Sequence, residues 1–327
     1  MAGKRGMSGP RNMLSLAETY LAERRHLGFA LTRSGSLTLA FARFADASGH
    51  EGALTPAIVL RWAKEAAQHA DPFTWAGRVN VLRPFARFLA DHDPGTVFPE
   101  DSPFGRSHRR LAPHVYTPAE VEALLAAAGR LGPQNELTSA TFTTLFGLLA
   151  ATGLRISEAL RLSSGDLDDG QEQLTIRHSK FQRTRLVPLH PTVGAALRAY
   201  LPVRARYGAM NAAAPLFLSA DTGQALRYDR VRSVFLTLTA GLKIVARGGH
   251  RSIRIHDLRH SFICRRLMLW QADGDNLGNT MMALATYVGH INVGDTYWYL
   301  QAVPELMATA GDRFEAFGAR LGEAHHG

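Results

Sequence analysis

Through the first ninety residues, apolar side chains recur at the three-and-four spacing of amphipathic helices. They fall in the groups Leu14, Leu16, Ala17, Leu21; Leu37, Leu39, Phe41, Phe44; Val59, Leu60, Trp62, Ala63; and Val79, Val81, Leu82, Phe85, Phe88, Leu89. Turn signals separate the groups, as at Ala47-Ser-Gly-His, Thr55-Pro56 and Asp71-Pro72, so the pattern predicts four or five helices over residues 13–95. From Asp93-Pro-Gly to Pro113 the periodicity stops, and prolines, glycines and the pair Arg109-Arg110 take over. This composition predicts a basic linker over 96–115 between two domains.

The second domain, 116–310, opens on Thr117-Pro-Ala-Glu120, a capping box with proline at the first helical position. Leu137–Ala151 reads as a buried helix stopped near Gly153, and Ile156–Leu162 as a short one. The alternating segments Gln173-Leu-Thr-Ile-Arg-His and Thr184-Arg-Leu-Val-Pro-Leu, joined by Ser179-Lys-Phe-Gln-Arg, read as a β-hairpin. Helical spacing returns at Val193–Leu201, Asp229–Leu242, Asp257–Trp270 and from Met281 onward. The expected fold is mainly α: a helical domain, then a mixed, mostly helical domain with a small antiparallel sheet. A basic segment, 1–12, and a tail, 311–327, flank them. In the tail, Phe314, Phe317 and Leu321 form a stripe suited to docking on a second protomer or back on its own domain.

The 327 residues, 46% of them hydrophobic and 20% charged, exclude a disordered or fibrous chain. No apolar run approaches the ~20 residues of a membrane span. The basic start lacks the apolar region of a secretory signal. A single cysteine, Cys264, excludes a disulfide framework and Cys-based zinc sites. A reducing cytoplasm is the expected location. The 37 basic residues exceed the 28 acidic ones, a formal +9, which suits an anionic partner. That excess is concentrated. Arg227 to Arg259 holds eight basic residues against Asp229 and Asp257, and the hairpin carries Arg177, Lys180, Arg183 and Arg185 with no acidic residue between them.

Four segments carry candidate chemistry. In Ala151-Thr-Gly-Leu-Arg155-Ile-Ser-Glu158, an arginine stands at the mouth of a helix, where its planar guanidinium suits two phosphate oxygens and Glu158 is placed to hold it. An ordinary intrahelical ion pair is the alternative. The basic hairpin fits a DNA groove, or protects a sheet edge by charge. Lys180 at its turn suits proton donation to a leaving oxygen. In Arg254-Ile-His256-Asp-Leu-Arg259-His260, a helix starting at His256 puts His256, Arg259 and His260 on one face. Phosphate chemistry, a structural histidine pair and a zinc pair all fit that spacing, although the zinc hydrolase motif needs glutamate where Asp257 stands. Finally, Val288-Gly-His290 precedes Asp295-Thr-Tyr297-Trp-Tyr299. A tyrosine attacks phosphate only if cations or a base make its hydroxyl reactive. Two tyrosines two residues apart on a helix point about 200° apart, so at most one faces a shared site.

In order, Arg155, Lys180, His256, Arg259, His290 and Tyr299 resemble the catalytic set of the tyrosine recombinase (phage integrase and Xer-like) family. The resemblance rests on ATGLRISEAL, SKFQRTRLVPL, HDLRHSF, VGH and a tyrosine nine residues after that histidine. It covers the second domain, and the N-terminal helices resemble the family's core-binding domain. It implies a clamp around double-stranded DNA, in which Tyr299 attacks the scissile phosphate to give a 3'-phosphotyrosine. It further implies that Arg155 and Arg259 clamp the non-bridging oxygens, Lys180 protonates the leaving 5'-oxygen, His256 serves as acid or base at the tyrosine, and His290 binds a phosphate oxygen. Glu158 would orient Arg155, with Arg109, Arg110, Arg177, Arg183, Arg185, Arg254 and His260 as DNA contacts. Neither metal nor other cofactor is implied, and no GxxxxGK[ST] occurs. The implied partners are a recombination site and further protomers, a homotetramer on DNA or companion recombinases. A catalytically silent DNA-binding subunit and a type IB topoisomerase are the alternative functions, and Tyr297 is the alternative nucleophile.

Overall fold

The structure, a computed structural model, describes residues 12–302 except 66, 68–70, 101–102, 108–109, 133, 169, 171, 178–183 and 274–276. The docking stripe expected at Phe314, Phe317 and Leu321 therefore lies outside the described residues, as do Arg109, Lys180 and Arg183.

The chain divides into two units, meeting between Arg110 and Leu111, inside the stretch expected to link them. The first holds α1 (Met13–His26), α2 (Thr32–Ala47), α3 (Pro56–Glu65) and α4 (Pro72–Ala90). Their apolar faces meet in a core around Ala17, Leu21, Phe41, Trp62, Leu82 and Phe85, where Phe41 and Trp62 pack edge to face at 5.4 Å. The unpaired amides that begin α1 are satisfied from two sides. Asn12 accepts from the Ser15 N–H, and Asp46, from α2, accepts from the N–H groups of Met13 and Leu14 at 2.8 and 3.0 Å. Phe98 and Phe104 of the expected linker pack on this same core.

In the second unit, α5 (Pro118–Gly129) opens on the predicted capping box: Glu120 accepts from the Thr117 N–H, and Thr117 Oγ1 from the Glu120 N–H. Helix α6 (Glu136–Thr152) runs through the core, burying Leu137, Phe142, Leu145, Phe146, Leu148 and Leu149. A one-turn helix α7 (Ile156–Ala159) follows, shorter than the spacing predicts. The sheet has one strand more than the predicted hairpin. Its order is β1 (Leu167–Asp168), β2 (Gln173–Ile176), β3 (Arg185–Pro188), all antiparallel, with Leu174 opposite Val187 and Ile176 opposite Arg185. Helices α8 (Pro191–Ala205) and α9 (Tyr228–Gly241) complete the main core.

A second apolar cluster joins α10 (His256–Ala272), α11 (Leu277–Val288) and α12 (Gly294–Ala302) through Ile263, Leu267, Met281, Leu284, Val288 and Tyr299. The helical pattern read continuously from Met281 is thus broken at Gly289, whose φ of +70° suits glycine. Among the described residues no helix is long and apolar enough to cross a membrane.

Candidate active site

Helix α6 ends at Gly153 in the left-handed conformation, φ +62°. A β-carbon there would lie 2.5 Å from the Phe262 ring, so the turn needs glycine on two counts. The turn delivers Arg155 to the start of α7. Its backbone N–H donates to Glu158 Oε2 at 3.0 Å and its Nη1 to Oε1 at 2.8 Å. Arg185 reaches the same carboxylate from β3, with Nη1 and Nη2 donating to Oε1 and Oε2 at 3.0 and 2.9 Å. Burial acts to raise the Glu158 pKa, but the hydrogen bonds and charge of Arg185, then those of Arg155, override it and hold it at about 2. The carboxylate is therefore ionised, buried and shared between two guanidiniums.

The last carbonyls of a helix lack internal partners and lie at the negative end of its dipole. At the end of α11 three consecutive carbonyls are each taken by an arginine from another element. Tyr287 O accepts from Arg185 Nε at 3.0 Å, Val288 O from Arg259 Nη2 at 2.8 Å, and Gly289 O from Arg155 Nη2 at 2.9 Å. Arg259 also donates through Nη1 to Gly153 O at 2.6 Å. Two helix ends thus hold three cations at one point. Arg259 is 2% exposed, and burial, then the charge of Arg155, lower its pKa to about 9. A guanidinium has five N–H donors, more than these contacts use, so Arg155 and Arg259 can also bind an oxyanion.

Helix α10 starts at His256, as expected, and Asp257, fully buried, accepts from the backbone N–H and Nη2 of Arg254 at 2.8 and 2.7 Å. His256, Arg259 and His260 share a face. His260 Nδ1 lies 2.6 Å from the Tyr299 hydroxyl, and the His256 ring packs edge-on against His260 with centroids 4.6 Å apart. His290 Nδ1 lies 2.7 Å from Thr296 Oγ1, and its ring stacks parallel to Tyr299 at 6.4 Å. Solvent reaches His256. Even so, the protein atoms crowding it, then Arg259 and Arg254, lower its pKa to about 4. Burial, then Arg259 and Arg155, lower that of His290 to about 3, and His260 is depressed further still. All three imidazoles are neutral at pH 7. With three guanidiniums and one carboxylate, the described centre carries a net +2, matched to a phosphate.

Tyr299 lies at this centre, 3% exposed, whereas Tyr297 is 43% exposed on the opposite side of α12. Of the residues expected to act together, Arg155, His256, Arg259, His290 and Tyr299 are brought to one place. The expected DNA contacts divide. Arg110 is exposed. Arg177 is largely exposed but paired with Asp166 at 2.6 Å, and Arg254 holds Asp257. Two more of these residues have partners inside the protein. Arg185, its side chain 12% exposed, faces inward onto Glu158 because that buried carboxylate needs a second cation. His260 faces Tyr299 because α12 packs against that face of α10. The hairpin's positives are accordingly not uncompensated: Asp166 and Glu158 neutralise two of them. Likewise Arg230 and Arg247 of the basic stretch meet Asp221 and Glu120.

Sequence reasoning missed the backbone carbonyls of Gly153 and residues 287–289, the inward role of Arg185, and Thr296, which is fully buried. The lone glycines at 153 and 289 were the available signal for the carbonyls. For Thr296, six residues beyond His290 and outside any periodic motif, there was none.

Comparisons with known proteins bear on the family and the fold. The phage integrase family profile matches residues 114–305. A putative integrase/recombinase, y4rB, from Sinorhizobium fredii is 34% identical over 301 residues, 91% of this chain and 95% of that protein. Tyrosine recombinase XerD from Caulobacter vibrioides is 28% identical over 81% of this chain and 83% of its own. Among solved structures, the XerH site-specific recombinase bound to its difH substrate, a post-cleavage complex, aligns with a TM-score of 0.65 at 17% identity, covering 92% of this chain and 84% of that one. The Tn1549 transposon integrase in complex with transposon right-end DNA aligns at 0.62 and 17% identity, over 91% of this chain and 98% of that one. These two structures share the fold.

Proposed function

The chain belongs to the phage integrase family of tyrosine recombinases, and from that premise we propose that it cuts and rejoins DNA at a specific site through a 3'-phosphotyrosine at Tyr299. The observation that carries this reading is the meeting of Arg155 and Arg259 on adjacent carbonyls at the end of α11, next to His290, whose ring stacks on Tyr299, with a net +2 among described groups. Phosphoryl transfer leaves the protein little to do beyond positioning and stabilising charge. Arg155 and Arg259, fixed to helix-end carbonyls before any DNA arrives, bind the non-bridging oxygens without reorganising. His290, its Nδ1 engaged by Thr296, offers Nε2–H to a phosphate oxygen. Lys180, which falls between β2 and β3 in the sequence, protonates the leaving 5'-oxygen. The phosphotyrosine conserves the energy of the broken bond, and the freed 5'-hydroxyl of a partner strand attacks it to rejoin. Strand exchange pairs two cleaved sites, so protomers act together on double-stranded DNA, a tetramer or an assembly with companion recombinases.

The test is a nicked duplex drawn from DNA flanking the gene, in which cleavage traps the protein on the strand. Wild-type protein is expected to give a band that resists denaturation. Tyr299→Phe is expected to abolish the band while gel-shift affinity stays within about twofold. A band retained in Tyr299→Phe but lost in Tyr297→Phe moves the nucleophile to the exposed tyrosine.

A further inference from the structure

We infer that His260, rather than a DNA contact, is the group that takes the phenolic proton from Tyr299 during attack and returns it during rejoining. The inference rests on the phosphotyrosine reading above and adds the proton's destination to it.

His260 lies within hydrogen-bond reach of the hydroxyl, with Nδ1 2.6 Å from the oxygen. Such contact is the first requirement of a general base. Three features favour transfer from oxygen to nitrogen. His260 lies on α10, which contributes to both apolar clusters of the second unit, and its ring packs against those of His256, Trp298 and Tyr299 at 4.6, 6.3 and 5.5 Å. The ring is held as the neutral form, with a lone pair to offer. The charged and titratable groups that face it are His256, Arg254, Arg259 and His250, and burial together with these neighbours disfavours the imidazolium. Finally, a phenol is the better donor of the pair, so the hydroxyl donates and Nδ1 accepts, with the ring proton on Nε2.

A centre whose described groups carry a net +2 makes a poor place to put another proton. Bound DNA reverses that balance. A phosphodiester between Arg155 and Arg259 brings one negative charge, and a second develops as the tyrosine oxygen attacks, so the imidazolium becomes favourable at the moment it is needed. In the step, the Oη–phosphorus bond forms as the phosphorus–O5' bond breaks. The phenolic proton passes to His260 Nδ1, and the leaving oxygen takes its proton from Lys180. Rejoining runs the same transfers backwards. The base is thereby switched on by its substrate, which spares the resting enzyme a reactive phenolate.

The test is single-turnover cleavage of the nicked duplex by wild type, His260→Ala and His260→Asn, from pH 6.5 to 9. Asparagine offers a side-chain oxygen near the Nδ1 position and holds the hydroxyl without being a base. Both variants are expected to bind DNA like wild type and to cleave about 10²- to 10⁴-fold more slowly, the loss typical of a removed general base. In His260→Ala the rate is expected to climb close to tenfold per pH unit, as hydroxide replaces the base, and to be raised by added imidazole. A His260→Asn rate within threefold of wild type overturns the inference, because holding the hydroxyl would then suffice. So does a His260→Ala profile that parallels wild type and ignores imidazole. If wild-type protein itself forms no adduct, the phosphotyrosine reading fails instead.

Discussion

Glu158 is buried between Arg155 and Arg185, and removing its charge leaves two guanidiniums facing each other in the interior. Its pKa falls from an ordinary 4.5 to about 2 on folding. A depressed carboxylate stabilises the fold fully above its unfolded pKa, and that stability is lost as pH falls through the folded one. Over the interval from about pH 4.5 to 2 the wild type therefore gives up roughly 3 kcal/mol. Glu158→Gln is expected to be about 3 kcal/mol less stable than wild type at pH 7, in line with one partner lost from a buried pair. The difference should shrink toward zero near pH 2, as read by urea unfolding at several pH values. Arg185 makes the complementary case. Facing inward, it donates to Glu158 and to the Tyr287 carbonyl, so Arg185→Lys is expected to slow cleavage, because lysine cannot span both carboxylate oxygens and that carbonyl. The slope of log affinity against log salt should stay unchanged. A DNA-contacting arginine would instead reduce that slope by about 1.

Among the elements, the ends of helices matter more here than their middles. The end of α11 and the glycine after it hold three arginines by three carbonyls in a row, and that glycine sits at φ +70°. An added β-carbon at Gly289 would stand 2.8 Å from the Arg185 guanidinium carbon. Gly289→Ala therefore meets a left-handed backbone, at about 1–2 kcal/mol, and displaces the arginine that holds Glu158. The expected outcome is a melting temperature lower by several degrees, with cleavage reduced more than DNA binding. The sheet shows why an element's end was hard to read from pattern. Leu167 and Asp168 are too short a run to alternate visibly, yet they pair with Leu174 and Gln173 because the antiparallel edge of β2 is there to receive them.

For the whole molecule, two units each bury their own apolar core, and the residues proposed to act on DNA phosphate all belong to the second. Residues 111–327 expressed alone are expected to unfold cooperatively in a thermal melt followed by circular dichroism, as a unit with its own core does. A broad, non-cooperative loss of signal would show that the first unit is needed to fold the second. What the sequence by itself determined was local: helical spacing, the capping box at Thr117 and Glu120, the face shared by His256, Arg259 and His260, and the side-chain types of a phosphate-binding set, legible because each lies within a few residues of chain. What only the tertiary structure decided was which charges meet. Counting residues along the chain made the hairpin four uncompensated positives. Folding brought Glu158 to Arg185 across 27 residues and Asp166 to Arg177 across 11. It also set His260 on a hydroxyl 39 residues away. Periodicity records which face of a helix is apolar. It does not record which buried cation answers which buried anion, since that depends on desolvation shared between elements that meet only when the core closes.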